Sequence, residues 1–237
     1  MKIRLGDLRR LIREALGGED LAVYMWGSSY MTKVGSSSSS VKLVLYSPSE
    51  LLGLDWGNTL EIPNYVLKGY AAFGQPENPC NGAWEVYSIA GVGYGKLLYG
   101  IGYYLSPSGR LMPDRVYSSK RARDAWTRSV PKMKGLPLDD VNDPQTPEKE
   151  DDCDVQVPTK KGGPDPVLDK AYEGPPVDPG PMQRVHEKTV EKLMYVLNDV
   201  SDKYWDHEQV EKMLGDMFRK ASAKFFSSEF EKYSKEK

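Results

Sequence analysis

The sequence predicts an α+β protein, that is, a mixed α/β arrangement in which helices flank one sheet. Short runs of β-forming residues, bounded by turn residues, occur between 41 and 90. A Gly-rich loop at 91–95 then separates a strand from a segment of helical length, and a further strand and helix follow. Strands followed by this strand–loop–helix–strand–helix series indicate a mixed sheet with one crossover connection.

The composition excludes several classes of protein. The chain has 237 residues, enough for one or two domains with a core. Its net charge of −2 argues against a globally basic nucleic-acid binder, and no apolar run is long enough to cross a membrane. The two cysteines, Cys80 and Cys153, rule out a disulfide framework and a four-cysteine zinc site. Because no signal-peptide core is present, the expected compartment is the cytoplasm.

An amphipathic leader helix is predicted over 1–18. Its leucines and isoleucine recur at helical spacing, and its arginines lie off that stripe. A helix of this length is marginal alone, so it should dock on its own domain or serve as a partner-binding or targeting segment. Residues 19–40 are predicted to be a flexible linker, because they end in a Gly-Ser run at 35–40.

The predicted core over 41–135 opens with strands. The candidates are 41–46, a weaker one at 60–62, 66–73 and 84–90. The turn at 74–82 is rich in Gly, Pro and Asn, so the strands on either side of it should form an antiparallel hairpin. A helix at 96–105, a short strand at 110–112 and a helix at 120–128 complete the core.

The rest of the chain divides into a strap and a helical segment. Residues 136–181 are predicted to be a Pro/acid-rich strap or linker, since eleven of the seventeen prolines fall between 131 and 181 beside an acidic run. Residues 182–237 are predicted to be a helical C-terminal segment with helices at about 182–200 and 207–227.

The Gly-rich loop carries the most chemical information. Glycines at 91, 93 and 95 allow the backbone to approach an anion closely, and a helix that starts at Gly95 presents its free N–H groups to that anion. A diphosphate is a natural ligand for such a loop. The pattern matches neither the dinucleotide fingerprint nor the P-loop, and a tight turn without a ligand is the alternative.

Other candidate groups are weaker. His186 and His207 lack a second ligand at helical spacing, so no metal site is expected. Cys153 lies among carboxylates, which oppose formation of the thiolate, and Cys80 has no neighbouring histidine. The basic residues at 120–123 form either a solvated face or a contact for a phosphate or an acidic partner.

The strand and loop together resemble a known signature. Residues 84–90 followed by Gly-Tyr-Gly-Lys-Leu-Leu-Tyr at 93–99 resemble the acetyl-CoA-binding signature of the GNAT N-acetyltransferase superfamily, Gln/Arg-x-x-Gly-x-Gly/Ala at a strand-to-helix junction. The ordered series that runs on through 111–115, 119–126 and 138–153 is similar to GNAT-like proteins encoded by tailed phages. The leader at 1–16 separately resembles short basic helices that open many phage proteins.

This resemblance implies a fold and a cofactor site. The sheet should be a mixed one that splays after the strand ending near Ala90, with the pantetheine arm of acetyl-CoA in the splay. The arm would pair with the backbone of Tyr87, Ser88, Ile89 and Ala90. The pyrophosphate would bind the N–H groups of Val92, Gly93, Tyr94, Gly95 and Lys96.

The resemblance also implies catalytic roles. Glu85 is the candidate base that takes a proton from the attacking ammonium; otherwise it is a solvent-facing strand residue. Tyr117, with Tyr94 as a substitute, is the candidate acid for the leaving thiolate. Two residues depart from the family pattern, because Trp126 stands where a tyrosine is usual and Ala90 stands where Gln or Arg is usual.

Two functions are therefore expected as alternatives. The first is transfer of an acyl group from acetyl-CoA to an unknown amine acceptor. The second is a catalytically silent GNAT-like virion structural or assembly protein, with a viral or self partner bound through residues 1–16. The expected location is the cytoplasm, that of the host for a phage protein, or the virion. A ligand-binding protein without transfer is a third possibility.

Overall fold

A computed structural model describes most of the chain. The described residues are 21–31, 37–58, 61–75, 82–91, 93–114, 120–129, 134–137 and 170–234. The strands in these ranges are β1 (Ala22–Met31), β2 (Ser37–Tyr46), β3 (Leu67–Gly74), β4 (Trp84–Ala90), β5 (Arg110–Pro113), β6 (Lys134–Pro137) and β7 (Lys170–Glu173). The helices are α1 (Pro48–Leu52), α2 (Gly95–Leu105), α3 (Lys120–Ser129), α4 (Gly180–Val200) and α5 (His207–Ser234).

The strands form one mixed sheet in the order β1-β2-β3-β4-β5-β7-β6. β3 pairs antiparallel with β4, β4 pairs parallel with β5, and β7 pairs antiparallel with both β5 and β6. The parallel pair encloses α2, which is the predicted crossover connection. The predicted α+β class is confirmed, and so is the antiparallel hairpin of β3 and β4.

Local pattern located the middle of the chain well. The predicted strands at 41–46, 66–73, 84–90 and 110–112 correspond to β2, β3, β4 and β5. The predicted helices at 96–105 and 120–128 correspond to α2 and α3, and the two C-terminal helices to α4 and α5. These segments carry their own periodicity, so neighbours in sequence are enough to specify them.

Three predictions about linkers and weak strands are wrong. The linker predicted over 19–40 contains β1 and the first residues of β2, so part of the serine run is extended inside the sheet. Serine residues give no sequence signal for a strand, and backbone hydrogen bonds to the neighbouring strands keep this run extended. The weak strand predicted at 60–62 is absent at Glu61 and Ile62, the part of it that the structure describes.

The prediction of a Pro-rich strap over 136–181 is also wrong at both ends. β7 and the last two residues of β6 lie within the predicted strap at 136–181, and the two strands pair with each other from Lys134↔Glu173 to Pro137↔Lys170. Pro137 is the last residue of β6, an outer strand of the described sheet, where a missing N–H costs little. Residues 138–169, with the acidic run, lie outside the described residues, as does the leader at 1–18.

The chain groups into two compact units. One takes its described residues from 1–24, 44–69 and 179–228, and its core is built from α1, α4, α5 and the end of β2. The other takes them from 25–43, 70–178 and 229–237, and holds β4, α2, β5, α3 and β7. None of the described helices combines the length and the apolar character that a membrane span requires.

Candidate functional site

β4 loses one of its two neighbouring strands halfway along. In the parallel ladder, Trp84, Glu85 and Val86 stand opposite Leu111, Met112 and Pro113. Pro113 is the last residue of β5 and has no N–H to donate, which favours the end of the ladder there. Within the described residues, the ladder of β4 with β5 therefore ends at Val86 and does not extend to residues 88–90.

The opposite edge of β4 stays paired over its full length. β3 runs alongside from Tyr70↔Ala90 to Gly74↔Glu85. The register slips between Ala72 and Phe73, so that Tyr87 is the extra residue of a bulge in β4. A bulge increases local twist, and this one directly follows the last β4–β5 pair, Val86↔Pro113.

Exposure follows the same division. Trp84, Glu85 and Val86 are buried, whereas Tyr87 is 36 % exposed and 88–90 are partly exposed. The Tyr87 hydroxyl donates a hydrogen bond to the carbonyl of Gln75 at 3.2 Å. Residues 88–90 of β4 thus combine a backbone edge that β5 does not cover with partial access to solvent.

The loop after β4 leads directly into the start of α2. Gly93 has φ +84°, a left-handed conformation that favours glycine. The residue before the helix, Tyr94, makes no side-chain cap, and the first amide bonded within the helix is Leu98 N–H to the Tyr94 carbonyl at 3.0 Å. The amides of the first turn, at 95–97, therefore lack helical acceptors.

The two glycines of this turn are not crowded by side chains. A methyl group placed on Gly95 or Gly93 would have no described atom within 4 Å. Lys96 is exposed in the same turn, and the first turn holds no acidic residue. The positive end of the helix dipole thus lies beside one exposed lysine, a combination that favours an anion.

The other end of α2 is packed tightly. A methyl group on Gly102 would lie 2.7 Å from Phe73 Cε1 and 2.8 Å from Leu111 Cδ1. On the next turn, Val177 N–H donates to the Gly100 carbonyl at 2.8 Å, and the Val177 side chain covers Gly100. The sheet and the chain after β7 therefore fix the position of this helix.

Aromatic side chains fill the space beside α2. Trp126 of α3 is 3 % exposed, stacks on Tyr172 with ring centroids 5.1 Å apart, and meets Tyr99 edge-on at 5.2 Å. Burial raises the pKa of Tyr99 and of Tyr103 above the ordinary value of 10.0. Both hydroxyls are therefore poor proton donors at neutral pH.

Glu85 is buried at the end of the paired half of β4. It is 6 % exposed, and its register partners are Gly74 on β3 and Met112 on β5. The alternative that it is a solvent-facing residue is wrong. It lies next to Val86, where the β4–β5 ladder ends, so this carboxyl residue belongs to the same strand as the candidate site.

The structure brings most of the predicted site residues together. Glu85, Tyr87, Ser88, Ile89 and Ala90 all lie on β4, and Gly93, Tyr94, Gly95 and Lys96 lie at its junction with α2. Val92 and Tyr117 lie outside the described residues, so nothing here places the predicted acid. Cys80 and Cys153 lie outside them too. The basic residues at 120–123 lie in the first turn of α3.

Sequence reasoning missed a polar network in the other unit. His186 of α4 is buried, with Nδ1 2.8 Å from the Tyr46 hydroxyl and Nε2 3.1 Å from Glu211 Oε2. The hydrogen bond from His186 lowers the pKa of Glu211, and burial raises the pKa of Tyr46 above its ordinary value. Tyr46 is fully buried, so this network joins the end of β2 to α4 and α5 within the unit.

Neither a metal site in the described ranges nor a related protein indicates the function. No group of three or more His, Cys, Asp or Glu side chains in the described ranges could hold a metal ion. No family model, no curated protein and no solved structure matches this chain. The β4–α2 junction is therefore the feature of the described residues that bears on function.

Proposed function

We propose that the protein binds acetyl-CoA at the β4–α2 junction and transfers the acyl group to an amine. One observation carries the proposal: the β4–β5 ladder ends at Val86, so β5 does not cover the backbone of 88–90, and these residues lead through the Gly-rich loop into a helix N-terminus that has no side-chain cap. An extended chain of amides can pair with such an edge as an added strand would. A diphosphate can accept hydrogen bonds from the amides at 95–97.

The resemblance to the GNAT superfamily supports the same assignment. That resemblance implies a mixed sheet opened beside the strand that precedes the Gly-rich loop. The end of the β4–β5 ladder at Val86 and the bulge at Tyr87 agree with this expectation. Membership of the superfamily, and kinship with GNAT-like proteins of tailed phages, are part of the proposal.

The proposed chemistry is direct aminolysis of a thioester. The neutral amine attacks the thioester carbonyl, a C–N bond forms, and the C–S bond breaks. Glu85 accepts the proton of the incoming ammonium through water, because the carboxylate itself is buried. The thiolate of CoA leaves and takes up a proton, for which Tyr117 is the proposed donor. The tyrosinate regains a proton from the nitrogen of the new amide, which is cationic after the attack.

A second candidate function is a GNAT-like module that does not turn over and that serves as a virion or assembly component. It is favoured by Trp126, which occupies the usual position of the acid, because an indole N–H does not act as an acid. Tyr99 and Tyr172 enclose this side chain. Ala90 further removes a polar contact that the signature usually supplies.

Isothermal titration of the full chain with acetyl-CoA and with CoA tests binding. We expect heat from both ligands and competition between them. Gly95→Glu should weaken binding at least tenfold, roughly the effect of one unfavourable charge at about 1.4 kcal/mol. Gly95→Ala is the matched fold control, since its methyl group meets no described atom within 4 Å. Absence of heat with either ligand would overturn the proposal.

Release of free thiol, measured with a chromogenic disulfide, separates the two candidate functions. Amines of different classes serve as acceptors: a lysine peptide, a polyamine and an aminoglycoside. If the chain transfers the acyl group, Glu85→Gln should slow thiol release at neutral pH while CoA still binds. Binding of acetyl-CoA without thiol release for every acceptor would support the silent module.

A further inference from the structure

A groove of about 420 Å³ runs along α5, in the unit that does not contain the β4–α2 junction. The junction residues line neither this groove nor the smaller one beside it. Its walls combine lysines, apolar side chains and one carboxylate. The lining residues are Lys203, Trp205, Gln209, Lys212, Met213, Asp216, Met217 and Lys220.

Two parallel stripes of α5 form most of the groove. Gln209, Met213 and Met217 are spaced four residues apart and therefore lie above one another on the helix. Lys212 and Lys220 lie on the adjacent stripe. Each stripe extends about 12 Å along the helix axis, which suits several residues of a bound chain. Methionines provide an adaptable apolar floor.

The charge of the groove is positive. Asp216, its carboxylate, is already paired with Arg219 at 2.6 Å. Lys212 and Lys220 are exposed and form no ion pair with a described residue. Lys203 lies with Nζ 4.4 Å from the centre of the Trp205 ring. The groove therefore favours an anionic occupant.

Trp205 at the end of the groove lacks an acceptor. Its Nε1 is buried and has no hydrogen-bond partner among the described residues. Asn198 fixes the backbone of Trp205 through two hydrogen bonds, of 2.7 Å and 3.0 Å. A buried donor without a partner is costly, and a ligand in the groove that displaces the Trp205 ring far enough to expose Nε1 to a carbonyl or carboxylate oxygen would remove that cost.

The chain itself shows which chemistry fits this face of α5. Further along the helix, Glu61 Oε2 lies 2.7 Å from Lys224 Nζ, and the neighbouring Ile62 is only 5 % exposed. This Glu-Ile segment lines a smaller groove that shares Met217 and Lys220 with the larger one. An acidic residue next to an apolar one thus already occupies the continuation of the same surface.

We propose that the groove binds an acidic, apolar segment of a partner polypeptide. Carboxylates of the partner pair with Lys212 and Lys220, an apolar side chain packs on Met213 and Met217, and a backbone carbonyl accepts the hydrogen bond of Trp205 Nε1. The site is independent of acyl transfer, because it lies on another part of the fold. Its chemistry selects the segment by charge and by one or two apolar anchors.

The test uses the full chain and a short fluorescein-labelled peptide built from Glu-Ile pairs. Fluorescence anisotropy should show binding that weakens at high salt, and a peptide with Gln for Glu should bind at least about tenfold more weakly. The double variant Lys212→Glu/Lys220→Glu should lose the same factor. Lys192→Glu, at an exposed lysine of α4, is the matched charge control.

A second measurement does not depend on charge. In an amide NMR spectrum, the indole N–H signal that Trp205→Phe removes should shift when the peptide binds. Thermal melting monitors the folding of every variant. The proposal would be overturned if the folded double variant bound the peptide as tightly as the natural chain, or if the chain associated with itself through this face. It would also be overturned if ATP, a small polyanion, displaced the peptide and the indole N–H signal of Trp205 did not move when the peptide bound.

Discussion

Helix α2 and the helix pair α4–α5 meet their neighbours in opposite ways. α2 approaches Phe73 and Leu111 through Gly102, a position without a side chain. The α4–α5 pair is held instead by side-chain hydrogen bonds, since His186 bonds to Tyr46 and Glu211. The α2 packing should therefore fail when atoms are added, and the α4–α5 packing when polar groups are removed. Three predictions test this contrast.

The largest effect is expected from Gly102→Val. The added side chain would overlap Phe73 and Leu111, which are both buried and have little room to move. We expect a loss of about 3 kcal/mol of unfolding free energy, the upper range for overpacking a core. Urea denaturation followed by circular dichroism measures it. Gly95→Ala on the same helix is the control and should unfold at the urea concentration of the natural chain or slightly above it.

A smaller effect is expected from Tyr46→Phe. The ring and its contact with Phe218 at 4.6 Å remain, but His186 Nδ1 loses its partner in a buried site. Loss of one buried hydrogen bond should cost about 1–2 kcal/mol. Tyr65→Phe, at a tyrosine that is 60 % exposed, should leave the stability unchanged. Equal stability of the two variants would show that the network contributes nothing.

The smallest effect concerns pH. The His186 hydrogen bond lowers the pKa of Glu211 in the folded chain, so Glu211 adds stability above the ordinary glutamate pKa of about 4.3. That contribution is lost as the pH falls through the lowered folded value. Glu211→Gln should therefore be less stable than the natural chain at pH 6, and the difference should shrink toward pH 3. A constant difference over that range would contradict the assignment.

The sequence predicted the elements whose signal is local. β4 and α2 were located because Trp84 to Ala90 and Lys96 to Leu105 carry the right residue types and periodicity. β6 and β7 were missed because each has four residues and draws its stability from its partners. β1 and the serine run of β2 were missed because serines alone resemble a linker.

The candidate site divides in the same way. The glycine spacing at 91–95 indicated a helix N-terminus open to an anion, which is a property of a few neighbouring residues. The end of the β4–β5 ladder at Pro113 depends on two segments far apart in sequence, so no local pattern could indicate it. The contact of Tyr46 with His186 joins residues 140 positions apart and was invisible for the same reason.

The hydrogen bond between Gly100 and Val177 fixes the number of residues between the anchored part of α2 and its first turn. The far part of the helix is locked against rotation and sliding, and four residues lie between Gly95 and Gly100. One residue inserted between them would turn the first-turn amides by about 100° and move them by about 1.5 Å. Any protein that keeps this lock and this use of the helix end must therefore conserve the spacing between the two glycines, even where the intervening residues vary.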